Sequence, residues 1–486
     1  MARTAQNRYA RPVIARPWST GLARTSPLTA FAAALTLGLS VGVAAGWGSP
    51  LIALAGLLGG VMILIVLRAP VYGLYALVGL AFLLPFAVIP VRLGAQLTAL
   101  EAILVLTAGA AVLRGLVRRE PLRPGPIDRL LLGILGLATI SYLLSLPYAG
   151  GAETARRFFK LVLAMLVFPL TVRLVSQERG LNRLLVTLML CGGLEAAIGV
   201  ALYWVPRDTT VRLLSGLGPL GYPTGPDVLR FLPGENDTYT DILRATGTSI
   251  DPNVLGGELM LAAALLVTQL CSAGPLLPRW MLLPLASLAV LGMLLSQSRS
   301  SWIGLTVGLL CLATLRYRRL WLAIVPAALG VALLPAGRAL YTRVLAGFAG
   351  QDKAAAMRLD EYRNALEIIK QYPLFGIGFG GPPSIDLAPG VSSIYLTVAE
   401  TMGVPALALF SLALAWLLGR AVRAPRRPME ARLQGGLSGL LAALLAALAA
   451  GLFDHYFAST VFPHMVALFW LCCGLLWRAA DLARRS

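Results

Sequence analysis

The chain has 486 residues, of which 58% are hydrophobic and 13% are charged, and its formal net charge is +19. A soluble domain carries roughly 25% charged residues, so this composition excludes a soluble globular protein. Most arginines fall in short segments between apolar stretches, which is typical of membrane topology signals and argues against a nucleic-acid-binding protein.

The apolar stretches predict an all-α protein, a polytopic transmembrane bundle of about 14 helices. Several arginines precede the first stretch, and no small-residue cleavage site ends it, so we expect a basic tail and not a cleaved signal peptide. The predicted spans are 27–46, 49–67, 71–89, 97–117, 129–147, 157–175, 184–205, 253–272, 280–297, 301–316, 319–336, 404–420, 433–453 and 460–478.

The basic clusters predict the orientation of these spans. With the N-terminus in the cytoplasm, the arginines of segments 114–129, 173–183, 316–319, 420–432 and 478–485 all fall on the cytoplasmic side. This distribution obeys the rule that short cytoplasmic loops carry the excess of Lys and Arg. We therefore expect a multi-pass protein of a bacterial inner membrane with both termini in the cytoplasm.

The same topology leaves two long loops on the external side, and long loops in a compact protein are usually functional. The second of them carries a short amphipathic helix. The predicted organisation is a cytoplasmic basic tail (1–26), N-terminal transmembrane helices (27–205), an external loop (206–252), further transmembrane helices (253–336), a second external loop (337–403), and C-terminal transmembrane helices with a short cytoplasmic tail (404–486).

The first external loop ends in a polar motif that leads into a span. Asp251 and Asn253, on either side of Pro252, suit the start of a helix, where side-chain oxygens cap free N–H groups. Capping does not account for Arg244, because a cation ahead of a helix N-terminus gains nothing from the helix dipole. An arginine beside free helix amides does suit an anion.

A serine-rich motif, Ser296 to Trp302, joins two apolar spans at the external membrane face. One interpretation is a tight polar turn whose Arg299 extends toward lipid headgroups. The other is a guanidinium held at the mouth of a cavity, with Ser298 beside it. Arginine suits phosphate because its planar fork makes paired, charge-assisted hydrogen bonds.

The second external loop contains a helical pattern near 353–371 that Pro373 ends and a glycine string follows. Arg358 and Tyr362 lie on this predicted amphipathic helix. The glycine string after Pro373 has no preceding strand, so it does not indicate a dinucleotide site.

Ionisable residues also lie at the predicted membrane surface and within the spans. Glu400, just ahead of span 404–420, lies at membrane depth, where such groups are functional candidates by default. Asp454 and His455 follow span 433–453, and a histidine can titrate near neutral pH. The alternative for His455 is a hydrogen-bonded interfacial residue. His464 and the five cysteines are interpreted as structural.

Taken in order, these segments resemble the O-antigen ligase and O-antigen polymerase family of bacterial membrane glycosyltransferases. The resemblance covers residues 240–405, and its patterns are Arg244-x-x-Gly247-Thr-x-x-Asp-Pro-Asn253, Ser296-x-Ser298-Arg299, Arg358 through Gly378, and Tyr395-Leu-x-x-x-x-Glu400-x-x-Gly403. It implies an enzyme that transfers a glycan from a polyprenyl diphosphate carrier to a hydroxyl of an acceptor, on the outer face of the inner membrane.

The resemblance also implies roles for individual residues. Fixed arginines stabilise a leaving diphosphate without a metal, so neither a metal nor a cofactor is expected. The candidate diphosphate-binding residues are Arg244, Arg299 and Arg358. The candidate catalytic residues are Arg244, Arg299, Glu400 and His455. The candidate substrate-binding residues are Asn253, Ser298, Tyr362, Ser392 and Tyr395. The expected partners are a polyprenyl-diphosphate-linked oligosaccharide, an acceptor glycan or glycolipid, and membrane lipids, with a chain-length regulator protein as a further candidate.

One departure from the family pattern bears on the reaction. Ligases of this family typically place a His-Asn pair where this chain has Ser392 and Ser393, and serine is a poor general base. The departure favours a polymerase over a ligase. Either another group takes the proton, with His455, Asp454, Glu400 and Glu235 as the candidates, or the acceptor hydroxyl needs little help from a base because bond breaking runs ahead of attack. A transporter of lipid-linked sugars or anions and a non-catalytic scaffold remain as alternatives, although the internal repeats typical of transporters are not found.

Overall fold

The structure is a computed structural model, and it describes residues 50–93, 95–119, 125–233, 239–333, 353–380, 390–424 and 430–485. The predicted basic tail, span 27–46 and Glu235 lie outside these residues. The chain divides into two compact units, Met1–Gly60 and Val61–Ser486. Only the start of one helix is described in the first unit, and every contact discussed below lies in the second.

Helices dominate the described residues. In chain order they are α1 (Pro50–Arg68), α2 (Val71–Leu83), α3 (Ala99–Val117), α4 (Pro126–Ala149), α5 (Ala152–Leu174), α6 (Glu178–Trp204), α7 (Arg207–Ser215), α8 (Pro252–Cys271), α9 (Arg279–Leu295), α10 (Arg299–Leu315), α11 (Trp321–Leu333), α12 (Lys353–Gln371), α13 (Ile394–Met402), α14 (Val404–Arg423), α15 (Ala431–Ala450) and α16 (Pro463–Arg485).

Among the described helices, seven are long and apolar enough to cross a membrane, namely α3, α4, α6, α8, α14, α15 and α16. The shorter apolar helices include α2, α9 and α10. A helical membrane bundle is therefore the fold, while the number of about 14 spans stays a prediction. The predicted span 71–89 is too long: α2 ends at Leu83 because Leu84 precedes Pro85, and a residue before proline disfavours helical dihedrals.

The all-α prediction is incomplete, because two antiparallel hairpins accompany the helices. The first pairs β1 (Val88–Leu93) with β2 (Ala95–Thr98). The second pairs β3 (Arg230–Pro233) with β4 (Tyr239–Arg244), and its register sets Arg230 opposite Arg244. The second hairpin and α7 lie in the predicted loop 206–252, so this loop has secondary structure of its own.

The core of the bundle is formed by α8, α15 and α16. In the most apolar stretches of α8 and α16, 83% of the residues are buried, against 33% in α14, which lies at the periphery. Small residues let α10 approach α15 closely: a Cβ added at Gly304 or Gly308 would lie 2.6 Å from a carbonyl oxygen of α15. Close backbone approach at small residues is the usual packing mode of membrane helices.

The two ends of the bundle differ in chemistry. At one end, Arg420 of α14 pairs with Asp481 of α16 at 3.0 Å, and Arg478 donates to the carbonyl of Val175. The arginines of this end therefore lie where α5, α14 and α16 finish. The opposite end, where α14 and α16 begin, holds the motifs that the family resemblance singles out.

Candidate active site

Arg244, the last residue of β4, lies directly on the turn between α9 and α10. Its Nε donates to the carbonyl of Ser296 at 2.9 Å, and its Nη2 donates to Asn253 Oδ1 at 2.7 Å. The next residue, Ala245, donates its amide to the carbonyl of Leu295 at 3.0 Å. Two motifs that are about 50 residues apart in the chain are thus joined through one guanidinium.

The start of α8 explains why Asp251 and Asn253 stand on either side of Pro252. Asp251 Oδ1 accepts the amides of Asn253 and Val254 at 2.8 and 3.0 Å, so Asp251 is the helix cap that the sequence indicates. Asn253 does not cap the helix with its side chain, because its Oδ1 accepts from Arg244. Asn253 therefore orients the guanidinium.

The serine-rich turn carries Arg299 as the first residue of α10, three positions after the carbonyl that binds Arg244. Gln297 adopts a φ of 56°, which is uncommon for a residue other than glycine and makes the turn tight. The neighbouring hydroxyls are buried: Ser298 Oγ lies 2.9 Å from Ser301 Oγ and 3.2 Å from Ser300 Oγ. The turn thus brings Arg244 and Arg299 to one place in the fold.

This turn is packed against α8 through two glycines. A Cβ at Gly256 would lie 2.6 Å from Ser298 Cβ, and a Cβ at Gly257 would lie 2.5 Å from the ring of Tyr456. Such distances are too short for any side chain, so only glycine fits at both positions. The buried hydroxyls consequently have no room to move toward α8.

The loop between α15 and α16 completes the arrangement through Asp454. Its Oδ2 accepts from Ser300 Oγ at 3.3 Å and lies 3.9 Å from Arg358 Nη2 of α12. Asp454 is 5% exposed, whereas the Arg358 side chain keeps 26% of its surface. A guanidinium that is partly open to solvent and paired to a buried carboxylate is well placed to meet an anion.

Tyr362, also on α12, holds two loops together. Its hydroxyl lies 2.5 Å from the carbonyl of Leu452 and 3.0 Å from the carbonyl of Ser392. The amide of Ser392 in turn donates to Glu361 Oε2 at 3.0 Å. The segment that carries Ser392 is therefore fixed next to the loop that carries Asp454 and His455.

His455 is the ionisable side chain of this loop that is most open to a substrate. Its Nδ1 lies 3.7 Å from Asp454 Oδ1, and its backbone amide donates to the same oxygen at 2.9 Å. The side chain keeps 35% of its surface. Nδ1 has no hydrogen-bond partner among the described residues, and a histidine whose ring nitrogen faces a carboxylate at this distance can act as a general base once the two groups come within hydrogen-bond reach.

A cavity of about 270 Å³ opens beside His455. Its walls come from α4, α5, α13, α14 and α16 and are mostly apolar, with Met165, Phe410 and Trp470 among them. Glu400 and His455 also line it, together with Arg157 of α5. The cavity therefore combines apolar walls with two ionisable groups of the candidate site, while Arg244, Arg299, Arg358 and Asp454 are not among its lining residues.

Two of the remaining motif residues serve the framework. The hydroxyl of Tyr395 donates to the carbonyl of Leu448 at 2.9 Å, so it fastens α13 to α15. Gly378 has a φ of 79°, and its amide donates to the carbonyl of Thr401 at 3.1 Å. The glycine string is thus a close contact between the end of α12 and α13.

Burial acts on the two carboxylates of the site in the same direction. It raises the pKa of Asp454 above its ordinary value, against the opposing effects of His455 and Arg358. It also raises the pKa of Glu400, whose Oε1 accepts the amide of Gly390 at 3.0 Å. Both groups therefore hold a proton more tightly than they do in the unfolded chain.

We expect Glu400→Gln to make stability less dependent on pH. Because the folded pKa is raised, the folded protein binds more protons than the unfolded chain above the ordinary pKa of 4.5, and the free energy of unfolding falls as pH rises from there to the folded pKa. Glutamine keeps an oxygen for the Gly390 amide and carries no charge. In thermal unfolding in detergent between about pH 4 and 8, the stability of the variant relative to wild type should increase as pH rises. A difference that is constant with pH would contradict the buried, proton-holding carboxyl.

Sequence reasoning missed several residues of the site. Ser300, Ser301 and Tyr456 form its buried hydroxyl cluster, since Tyr456 OH lies 3.3 Å from Ser301 Oγ. The serine repeat is visible in the sequence, but its contact with the loop 451–462 is not. Glu361 also escaped notice because it has the pattern of an exposed acid on an amphipathic helix.

The fold and the site define the class: a polytopic helical membrane protein with arginines and buried carboxylates gathered at one end of its bundle. Residues 284–411 match the family model described as O-antigen ligase. This match confirms the resemblance to the O-antigen ligase and polymerase family, and it spans Ser298, Arg299, Arg358 and Glu400.

The chain is also similar to a chain in a structure titled "Structural coordination of polymerization and crosslinking by a peptidoglycan synthase complex". The identity is 18%, the TM-score is 0.35, and the similarity covers 73% of this chain and 98% of the other. No curated protein matches the chain.

Proposed function

We propose that the chain is a membrane glycosyltransferase that moves a glycan from a polyprenyl diphosphate carrier to a hydroxyl of an acceptor glycan, most specifically as an O-antigen or exopolysaccharide polymerase. The observation that carries the proposal is the hydrogen bond from Arg244 to the carbonyl of Ser296. Ser296 and its neighbour Arg299 lie inside the region that matches the family, residues 284–411, and Arg244 reaches this region from outside it. Guanidinium groups gathered at one turn suit the two negative phosphates of such a carrier.

In the proposed reaction, the acceptor hydroxyl oxygen bonds to the anomeric carbon of the donor glycan. The bond from that carbon to the diphosphate breaks, and the diphosphate leaves with the electron pair. Arg244, Arg299 and Arg358 stabilise the negative charge that grows on the leaving group. His455 takes the acceptor proton, with Asp454 facing its Nδ1 at 3.7 Å.

The choice of His455 as the proton acceptor rests on two observations. The positions where ligases of the family typically have a His-Asn pair hold Ser392 and Ser393 here. Tyr362 ties the Ser392 segment to the loop of His455 through contacts of 3.0 and 2.5 Å. His455, from the neighbouring loop, is thus held next to Ser392, the position where ligases of the family typically have a histidine.

The proposal places the site on the periplasmic or external face of a bacterial inner membrane. The end of the bundle opposite the site is rich in arginines, among them Arg420 and Arg478, and this supports a cytoplasmic location for that end. Among the described residues, no group of three or more His, Cys, Asp or Glu side chains is arranged to hold a metal ion. Metal independence is part of the proposal.

The alternative within the same reaction class is an O-antigen ligase, which the description of the matching family favours. The two differ in acceptor: a polymerase extends a second carrier-linked glycan, whereas a ligase transfers the polymer to a lipid A-core acceptor.

The experiment that tests the proposal is reconstitution of the purified chain in nanodiscs with a polyprenyl-diphosphate oligosaccharide, with products separated by length. We expect a ladder of longer carrier-linked glycans. Transfer that appears only after a lipid A-core acceptor is added would assign the ligase. Unchanged glycan lengths with both acceptors, from a folded and monodisperse protein, would reject glycosyl transfer.

A further inference from the structure

A second group of ionisable side chains lies beneath the candidate site and takes no part in the proposed reaction. Glu195 of α6, Glu258 of α8 and His464 of α16 are all fully buried. Ionisable residues at such depth are rare in membrane helices because a bare charge there is strongly unfavourable. They therefore need hydrogen-bond partners, and the identity of those partners indicates the role of these three side chains.

Glu195 is bonded to Thr248, in the segment between Arg244 and α8. Its Oε1 accepts the amide of Thr248 at 2.7 Å, and its Oε2 lies 3.0 Å from Thr248 Oγ1. The same hydroxyl lies 3.2 Å from the carbonyl of Phe82, which can only accept. A hydroxyl has one hydrogen, so both contacts are satisfied when Thr248 donates to Phe82 and a protonated Glu195 donates to Thr248.

Glu258 is bonded to the next residue of the same segment. Its Oε2 lies 2.7 Å from Ser249 Oγ, while its Oε1 has no hydrogen-bond partner and faces His464 Nε2 at 3.5 Å. Neither ring nitrogen of His464 has a hydrogen-bond partner. One proton between Glu258 Oε1 and His464 Nε2 satisfies both atoms and leaves the pair neutral.

The segment that these carboxyls hold is conformationally strained. Ile250 has a φ of 60°, which a β-branched residue rarely adopts, and Gly247 has a φ of 54°. A Cβ at Gly247 would collide with Glu195 Oε1, so the segment lies directly on that carboxyl. Strained backbone persists only where its surroundings hold it. Arg244 and Asn253 are at the two ends of this segment.

We infer that Glu195 and Glu258 are positioning residues, which in their neutral forms hold segment 244–253 in the conformation that brings Arg244 to the Ser296–Arg299 turn. Their part in catalysis rests on the proposed function. Their part in holding the segment does not, since it follows from the contacts of Thr248 and Ser249 alone.

The inference predicts that glutamine can substitute for each glutamate, whereas alanine cannot. A glutamine at position 195 can accept the Thr248 amide and donate to Thr248 Oγ1, and a glutamine at position 258 can accept from Ser249 and donate to His464. We expect Glu195→Gln and Glu258→Gln to keep kcat within about threefold of wild type. Glu195→Ala and Glu258→Ala should lower kcat roughly 100-fold, as misplaced catalytic groups do, with a smaller change in KM for the carrier-linked glycan.

The experiment measures hydrogen–deuterium exchange of the peptide that covers 245–253, in detergent and without substrate, alongside the kinetics. Faster exchange in the alanine variants and wild-type exchange in the glutamine variants are expected. Gln269→Ala is the matched control, because Gln269 is a buried side chain at the other end of α8 whose Oε1 accepts the amide of Leu276 at 2.8 Å. That change should speed exchange near Leu276 and leave 245–253 as it is.

Two outcomes would overturn the inference. One is unchanged exchange of 245–253 in both alanine variants. The other is equal loss of kcat in the glutamine and alanine variants, which would mean that a carboxyl is needed as an acid or a charge. If an alanine variant fails to fold, Thr248→Val and Ser249→Ala remove the other half of the same bonds and should give the faster exchange. If wild type transfers no glycan, the proposed function fails, while the exchange data still decide the positioning.

Discussion

Replacing Arg244 with alanine is expected to lower kcat for glycan transfer by roughly 100- to 1000-fold, the usual effect of removing one fixed donor from a developing anion. Arg244 is half-buried and donates hydrogen bonds of 2.9 and 2.7 Å to the carbonyl of Ser296 and to Asn253 Oδ1. Its guanidinium is thus already oriented when the substrate arrives. The measurement is the rate of product formation by reconstituted protein, normalised to the amount of folded enzyme.

Substitution by lysine separates the contribution of the positive charge from that of the planar guanidinium. Arg244→Lys and Arg299→Lys keep a positive charge but lose the planar fork, and we expect both to remain well below wild type. Arg212→Ala is the matched control, since Arg212 is an exposed arginine of the segment 206–252 and its Nε donates to the carbonyl of Asp208 within α7. Wild-type rates in both Arg244→Ala and Arg299→Ala would reject the diphosphate site.

The second large effect is expected at Arg358. We expect Arg358→Ala to lower kcat about 100-fold through loss of an anion-binding group. It should also lower the free energy of unfolding by about 1–3 kcal/mol, because the buried Asp454 loses its ionic partner. Kinetics of the reconstituted variant and its thermal unfolding are measured on the same preparation. Because Arg358 and Asp454 are 3.9 Å apart, a lower kcat could come from loss of anion binding or from the unpaired Asp454, and these two causes must be separated.

A double-mutant cycle separates them. Asp454→Asn removes the charge that Arg358 compensates, so in that background Arg358→Ala should no longer reduce stability. If Arg358 binds the diphosphate, the same change still lowers kcat about 100-fold in the Asp454→Asn background. If Arg358 acts only as the partner of Asp454, its removal there has no effect on kcat, and its role in binding is excluded.

The membrane helices were predictable because each one is a continuous run of apolar residues, which is visible in the local sequence. Predicted span 97–117 corresponds to α3, and span 253–272 corresponds to α8, with ends that agree within a few residues. The predicted helix near 353–371 is α12, and it ends just ahead of Pro373 as expected. The hairpins were not predictable, because their strands are only a few residues long and lie among prolines and glycines that indicate a loop.

The candidate site was predictable as a set of motifs but not as an arrangement. Arg244, Arg299 and Arg358 stand out because arginines outside the basic clusters need an explanation. What joins the motifs is tertiary: the carbonyl of Ser296, the hydroxyl of Tyr362 and the carboxyl of Asp454. Glu195 and Glu258 are recognisable in the sequence as acids inside apolar spans. Their hydrogen-bond partners are not, because Thr248 and Ser249 belong to a loop whose contact with these helices appears only in the folded structure.

Gly256 and Gly257 set a limit on how related proteins can diverge. On this face the backbone of α8 meets Ser298 and Tyr456 with no space for a single added carbon. Natural variation that adapts the enzyme to a new sugar therefore cannot accumulate on this side without separating the helices. We expect it to accumulate across the cavity, on α4 and α5, where side chains such as Met165 can change size without disturbing the arginines.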